Sequence, residues 1–519
     1  MSSLAYAPAA APARHTAPRW TGVFSERGSD VLLGLAALAL AAGLLAFLPT
    51  TFSVDSWLAL LTGREVWQHG IPTHETLTAL AHGRQWVDQQ WLSQLASYGI
   101  YRLGGLPLLG IANVGLIVTG FAGAILAARR LGAQPRAVML ALPLCTWLLF
   151  PSREVRTQQF AVPLFVATVY LLARDSRSPS RRVYWCLPLL ALWANLHGTV
   201  TLGVMLVGLY ALTLAWNRRR AIRHCWRASL RPLTLMLGAP LCLLATPYGL
   251  AAISYYRTML VGSSLRHTVT EWQAITSVPL TAAPFFVAAG ILVWSFGRWQ
   301  SRTTMWERLV MVALIAGAIS VIRNVLFFAL AALIVTPLSL KVGGRERGRT
   351  RPDEAADAPR ANGRRARLNM LATAAGVLAV AVLAFATLTE PAARIELSFQ
   401  RMPLLAAVQR ATAADPTLKV FAEVRFADWL LWRDPALSGR VASDARFELL
   451  SSAQMSRLQS AYGALGSDWK QGAIGFRLVV LDRRYEPDTV TGFRREPGAR
   501  VLYDDGERVV LLRARSSAA

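Results

Sequence analysis

The chain has 519 residues, of which 54% are hydrophobic and 16% charged, with a mean hydropathy of +0.37. That balance excludes an ordinary soluble domain and fits a polytopic membrane protein. A formal charge of +25 would suit nucleic acid, but the arginines fall in short connections between apolar segments, where basic excess marks cytoplasmic loops, so nucleic acid is set aside as a partner.

Residues 1–29 are Ala-, Pro- and Arg-rich without periodicity and read as a disordered cytoplasmic tail. The run from Val31 to Pro49 is about 20 residues, long enough to span ~30 Å of hydrocarbon, and lacks a small-x-small cleavage site, so it reads as an uncleaved first helix. A polar stretch follows, Val54 to Gly105, within a large first outer loop at 50–105. Within it, Trp57, Leu60, Leu61, Arg64 and Trp67 suit an interfacial amphipathic helix over Ser56–Gln68. Further apolar segments lie at 106–128, 137–150, 159–173, 183–195, 199–216, 232–246, 281–297, 309–322, 325–340 and 368–388, giving about eleven transmembrane helices. Several are short, and the pairs flanking Asn195–Gly198 and Arg323–Asn324 read equally as single broken helices. Cys145, Cys186, Cys225 and Cys242 lie in or beside these segments without CxxC spacing, so neither a disulfide framework nor a zinc site follows.

The expected organisation is a transmembrane domain over 30–340, a basic cytoplasmic linker over 341–367, a last helix over 368–388 and a small soluble α/β domain over 390–519. Short alternating runs in Lys419–Trp432, Phe476–Leu481 and Arg500–Leu512 supply strand signals, with a tight turn expected at Tyr503-Asp504-Asp505-Gly506. Arginine clusters at 129–136, 174–182, 218–231, 298–302 and 345–367 fall in alternate connections. The positive-inside rule makes those connections cytoplasmic. The N-terminus is then cytoplasmic and the C-terminal domain extracytoplasmic. The other connections share the outer face, where they would form one cavity: Asp55–Trp91, Ser152–Gln158, Asn195–His197, Pro247–Glu271 and Arg323–Asn324.

Asp55 stands where the chain leaves the first helix, and a carboxylate there suits either a general base or the N-cap of the following helix. Trp86-Val-Asp88-Gln89-Gln90-Trp91 joins indoles with a carboxylate and amides, a mixture that stacks sugar rings and meets their hydroxyls, although an interfacial Trp belt gives the same aromatics. His74 and Glu75 add further candidate groups. His69, His74 and His82 match no standard metal-ligand spacing, so no metal is assigned and a divalent ion stays an alternative. Arg153 and Arg156 at an outward helix end suit a phosphate or pyrophosphate, against the plainer reading of ion pairs with Glu154. Arg323-Asn324 interrupts an apolar segment, where an unpartnered charge is costly. His197 reads equally as a ligand-binding group and as a neutral histidine bonded between helices.

Asp55 after helix one and the pattern Gly70, Pro72, Trp86, Asp88, Trp91, Leu92 resemble the GT-C superfamily of integral-membrane glycosyltransferases. The closer resemblance is to bacterial relatives of the dolichyl-phosphate-mannose–protein mannosyltransferases. Pro247-Tyr248-Gly249, Glu271-Trp272, Arg323-Asn324 and the Asp444, Arg446, Glu448 pattern extend the likeness over most of the chain. The resemblance implies a transferase using a polyprenyl-phosphate-linked sugar, with Asp55 as general base and Arg153, Arg156 or Arg323 receiving the phosphate. The paired acids common in that family are absent here, Asp55 being followed by Ser56, which leaves three readings open: Glu75 as the second acid, Asp88 as the second acid, or catalysis lost.

The expected protein is therefore an inverting glycosyltransferase at the outer face of a bacterial inner membrane. Its partners would be membrane lipid, a lipid-linked donor and a glycan, lipid or protein acceptor, and no cofactor is assigned. Two alternatives differ in class. One is a transporter or flippase for a lipid-linked or anionic solute that uses Arg323 and the broken helices. The other is a catalytically silent assembly protein whose outer domain binds a partner.

Overall fold

The computed structural model describes residues 26–261, 270–299, 302–340, 358–390 and 402–515. The expected tail lies outside the described residues up to residue 25, and the expected basic linker up to residue 357. Their remaining residues belong to helices, 26–29 to α1 (Glu26–Ala46) and 358–367 to α13 (Ala358–Thr389).

The chain is a multi-pass helical membrane protein. After α1 come α2 (Val54–His69), α3 (Trp91–Arg130), α4 (Pro135–Leu149) and α5 (Ala161–Arg177). They are followed by α6 (Cys186–Leu196), α7 (Val200–His224), α8 (Arg227–Leu241) and α9 (Ala252–Val261). The bundle closes with α10 (Pro279–Arg298), α11 (Met305–Ser320) and α12 (Val325–Ser339). Every residue of α12 is buried, which makes it the axis of the bundle. Among the described residues five helices are long and apolar enough to cross a membrane, or six if the pair bent by 97° at α8 and α9 is one span. The hydropathy count of about eleven exceeds this because α4, α5, α6, α8 and α11 each have 17 residues or fewer and the apolar part of α1, Asp30–Ala46, is equally short.

Both expected breaks are present. Between α6 and α7 the chain leaves the helical path at His197–Thr199, and between α11 and α12 it passes through a 3-10 turn, Ile322–Asn324. A third bend falls inside α3, where Gly105 adopts φ +66°, a left-handed conformation that favours glycine. The two ends of the bundle differ in chemistry. At one end Arg129 pairs with Asp30, Arg177 with the buried Glu307 and Arg231 with the buried Asp175. The helix breaks and the first loop gather at the other.

The C-terminal unit carries α14 (Met402–Ala414), β1 (Val420–Ala422), α15 (Val424–Arg433), α16 (Ser452–Gly463), β2 (Leu478–Asp482), α17 (Pro487–Arg494), β3 (Arg500–Asp504) and β4 (Arg508–Leu512). The sheet order is β1-β2-β4-β3, with β1 and β2 parallel and the other pairs antiparallel. The β3–β4 turn contains Gly506 at φ +90°, as the Asp-Gly signal requires. The run Lys419–Trp432 is not one strand. It gives three strand residues and then α15, whose Phe426, Trp429 and Leu430 share a helical face in the core.

The first loop belongs to this unit as much as to the membrane bundle. Backbone N–H groups of Ala79 and Leu80 donate to the carbonyls of Val441 and Ala442, and Val441 also bridges Val420, so loop residues extend the sheet past β1. Helix α2 is not an interfacial amphipath. Trp57, Leu60 and Leu61 are fully buried in a core shared with Trp429, Leu431 and Val480. Gly63 permits the closest approach: a Cβ there would meet the Gln94 carbonyl oxygen of α3 at 2.2 Å.

Candidate functional site

A cavity of about 550 Å³ opens where the helix breaks, the first loop and the C-terminal unit meet. It is lined by Asp55, Gln89, Arg156, His197, Glu271 and Arg323 among others, a size usual for a small-molecule site.

Local structure explains how distant residues arrive there. The N-cap of α2 is Ser53, whose N–H donates to Ser56 Oγ at 3.0 Å, so Asp55 is not the cap and stands in the first turn. Ser56 Oγ in turn donates to the Val155 carbonyl at 2.6 Å, and the Val155 N–H donates to Thr51 at 3.0 Å. These two bonds bring Arg156 to Asp55, with Nε 3.1 Å from Oδ2. On the opposite wall, the Ile322 N–H donates to the Gln273 carbonyl at 3.0 Å, which joins the α11–α12 break to the turn Thr270–Trp272. Glu271 thereby reaches both Arg156, with which it forms a close ion pair, and Arg323 at 3.7 Å.

Arg156 also pairs with Glu154, so it touches three carboxylates. Arg323 Nε donates to Gln158 Oε1 at 2.9 Å, and its guanidinium lies 5.9 Å from the Trp272 ring centroid. Burial opposes a charged Glu271, but Arg156 and Arg323 prevail and hold its carboxyl below the usual range. For His197, burial and then the two arginines act together and push it well below its ordinary value, so the ring is neutral. Its Nδ1 accepts the Thr199 N–H at 3.1 Å, which assigns the ring proton to Nε2. Gln89 Oε1 is buried without a hydrogen bond among the described residues.

No family model matches the chain, and no curated protein matches it. Among solved structures it superposes on ArnT from Cupriavidus metallidurans bound to undecaprenyl phosphate, with a TM-score of 0.50 and 15% identity over 95% of this chain and 100% of that one. It also superposes on the oligosaccharyltransferase AglB from Archaeoglobus fulgidus in complex with an inhibitory peptide and a dolichol-phosphate, with a TM-score of 0.51 and 11% identity over 93% of this chain and 74% of that one. The chain has the GT-C fold.

In this GT-C fold the cavity collects Asp55, Gln89, Arg156, His197, Glu271, Arg323 and Asn324 from the residues singled out in the sequence. Asn324 also donates Nδ2 to the Gly317 carbonyl at 3.0 Å and so closes the end of α11. Arg153, Glu75, Trp86 and Asp88 do not line the cavity. The Arg153 carbonyl accepts Asn113 Nδ2 at 3.2 Å. Glu75 is fully buried, takes N–H bonds from Leu77 and Thr78 at 2.8 and 2.7 Å, and pairs with Arg446. Trp86 offers no open face to a sugar, because the Arg446 guanidinium covers its ring at 4.3 Å. Asp88 is 2% exposed, and burial pushes it up to about 7.

Three features of the lining are not singled out in the sequence, although two of them fall in connections assigned to the cavity. One is the segment Ala445–Glu448, which roofs the cavity from the C-terminal unit. The Asp444, Arg446, Glu448 spacing is its signal in the sequence, and it speaks there only through the family likeness. The others are Tyr255 and Tyr256 on α9 and the Gln90–Thr157 hydroxyl bond of 2.7 Å. Among the described residues no group of three or more His, Cys, Asp or Glu is arranged to hold a metal ion.

Proposed function

We propose that the protein is a membrane glycosyltransferase that moves a sugar from a polyprenyl-phosphate-linked donor to an envelope acceptor, with inversion at the anomeric carbon. One observation carries this reading: a carboxylate, Asp55, and two guanidiniums, Arg156 and Arg323, border a single cavity in a GT-C fold. The acceptor hydroxyl attacks the anomeric carbon and its proton passes to the Asp55 carboxylate. The bond from that carbon to the phosphate oxygen breaks, and its electron pair leaves with the phosphate, whose charge Arg323 and Arg156 stabilise. A single displacement of this kind inverts the configuration. Gln89 Oε1 and the Nε2 proton of His197 meet sugar hydroxyls. Glu75 and Asp88 support the loop from behind and do not exchange protons with substrate.

The arginine-rich end of the bundle is cytoplasmic by the positive-inside rule. The cavity and the C-terminal unit then face outward from a bacterial inner membrane, where a glycan, lipid or protein serves as acceptor. The test is transfer from a polyprenyl-phosphate-linked sugar by purified Asp55→Asn protein. Its rate is expected to fall by about 10²–10⁴-fold, and wild-type transfer would overturn the assignment. Mass spectrometry of envelope glycans from cells with and without the gene tests the activity itself. An unchanged profile would favour transport or a silent role.

A further inference from the structure

The charges joined around Arg156 and Arg323 do not leave room for a phosphate as they stand, and Arg446, a further cation in the cavity lining, is already taken by Glu75 and Asp444. Asp55, Glu154 and Glu271 contribute three negative charges and Arg156 and Arg323 two positive ones, and ion pairs join all five. The set is therefore net −1 before any substrate arrives, by three minus two. These side chains are only 20–35% exposed, so water screens them weakly. A lipid phosphate adding to the set would place a further negative charge against carboxylates that already fill the guanidiniums.

One carboxylate must therefore withdraw, and the contacts distinguish the three. Asp55 sits in the first turn of α2, which Ser56 ties to the Val155 carbonyl. Glu154 is two residues from Arg156 and among the described residues pairs with that arginine. Glu271 is the carboxylate that touches both guanidiniums, and it presents two oxygens to them as a phosphate would. The turn Thr270–Trp272 that carries it is joined to the helix break by the Ile322–Gln273 bond and by Trp272 beside the Arg323 guanidinium.

We propose that Glu271 is an internal stand-in for the departing phosphate. It holds Arg156 and Arg323 in place while the site is empty, yields them to an incoming lipid phosphate, and displaces the lipid-phosphate product by returning. It thereby sets how tightly an isoprenoid phosphate is held. This rests on the reading that the two arginines receive phosphate.

The test measures binding of undecaprenyl phosphate and of neutral undecaprenol to the full chain purified in detergent. Glu271→Gln is expected to bind undecaprenyl phosphate about tenfold more tightly than wild type, with undecaprenol binding unchanged, while Glu271→Asp, charged but shorter, falls between the two. If folded Glu271→Gln binds undecaprenyl phosphate no more tightly, the stand-in is overturned. Arg323→Gln tests the underlying reading separately: if it binds undecaprenyl phosphate as wild type does, the phosphate site is misplaced whatever Glu271 does. Should Glu271→Gln fail to fold, competition by inorganic phosphate for undecaprenyl phosphate in Glu271→Asp and wild type decides. The shorter side chain is expected to compete less and bind more tightly, and identical curves overturn the proposal.

Discussion

Two clusters of arginine and carboxylate lie in this protein, and they differ in what surrounds them. In the cavity, Arg156 and Arg323 face Asp55, Glu154 and Glu271 with side chains 20–35% exposed. Between the first loop and the C-terminal unit, Arg446 is clamped by Glu75 and Asp444 with all three side chains at most 3% exposed, and its planar face rests on Trp86. A sealed network stays where packing puts it. A half-open network with more carboxylates than guanidiniums can exchange partners, which chemistry requires. The sealed cluster holds the roof segment Ala445–Glu448 over the half-open one.

The comparison breaks most sharply through its charges. Asp55→Asn is expected to cost about 10²–10⁴-fold in transfer while leaving thermal unfolding near wild type, since Ser53 and not Asp55 caps α2. A matching loss of stability would put Asp55 among the structural groups. Arg446→Met is expected to do the reverse. It leaves Glu75 and Asp444 buried and uncompensated, at a cost of about 3–5 kcal/mol in unfolding free energy. Adding Glu75→Gln and Asp444→Asn should restore part of that stability, and no restoration would mean that packing on Trp86 matters more than charge.

Asp88 tests the sealed side through pH. Its folded value of about 7 lies above the ordinary carboxylate value near 4, so its contribution is fully present below pH ~4 and is lost as pH rises through 7. Asp88→Asn should flatten that dependence and raise stability at pH 8 by up to about 4 kcal/mol, as read from thermal unfolding across pH. The smallest effect concerns Arg323→Lys. Losing the planar fork should raise the KM for donor about tenfold with the fold intact, measured by steady-state transfer. An unchanged KM would leave Arg156 as the phosphate group.

Much of the half-open cluster was legible in the sequence. Alternating arginine-rich connections assign Asp55, Arg156, His197, Glu271 and Arg323 to one face, because a face needs only the order of the connections. Contacts across it were not legible. Nothing local tells Glu75 that its partner is Arg446, 371 residues away, so an acid in a polar loop read as reactive when it is sealed. Trp57, Leu60, Leu61 and Trp67 read as a membrane-surface helix because the C-terminal unit that covers α2 leaves no mark on its periodicity. Only Trp67 of these is exposed, at 54%.

The pairing of Ala79 and Leu80 with Val441 and Ala442 also has a consequence in time. Synthesis runs from the N-terminus, so the first loop leaves the bilayer long before its sheet neighbours are made. Until the last quarter of the chain emerges, the loop has no strand to join and Glu75 no cation to meet. A ribosome that stops before Val441 releases an inserted bundle whose cavity has no roof.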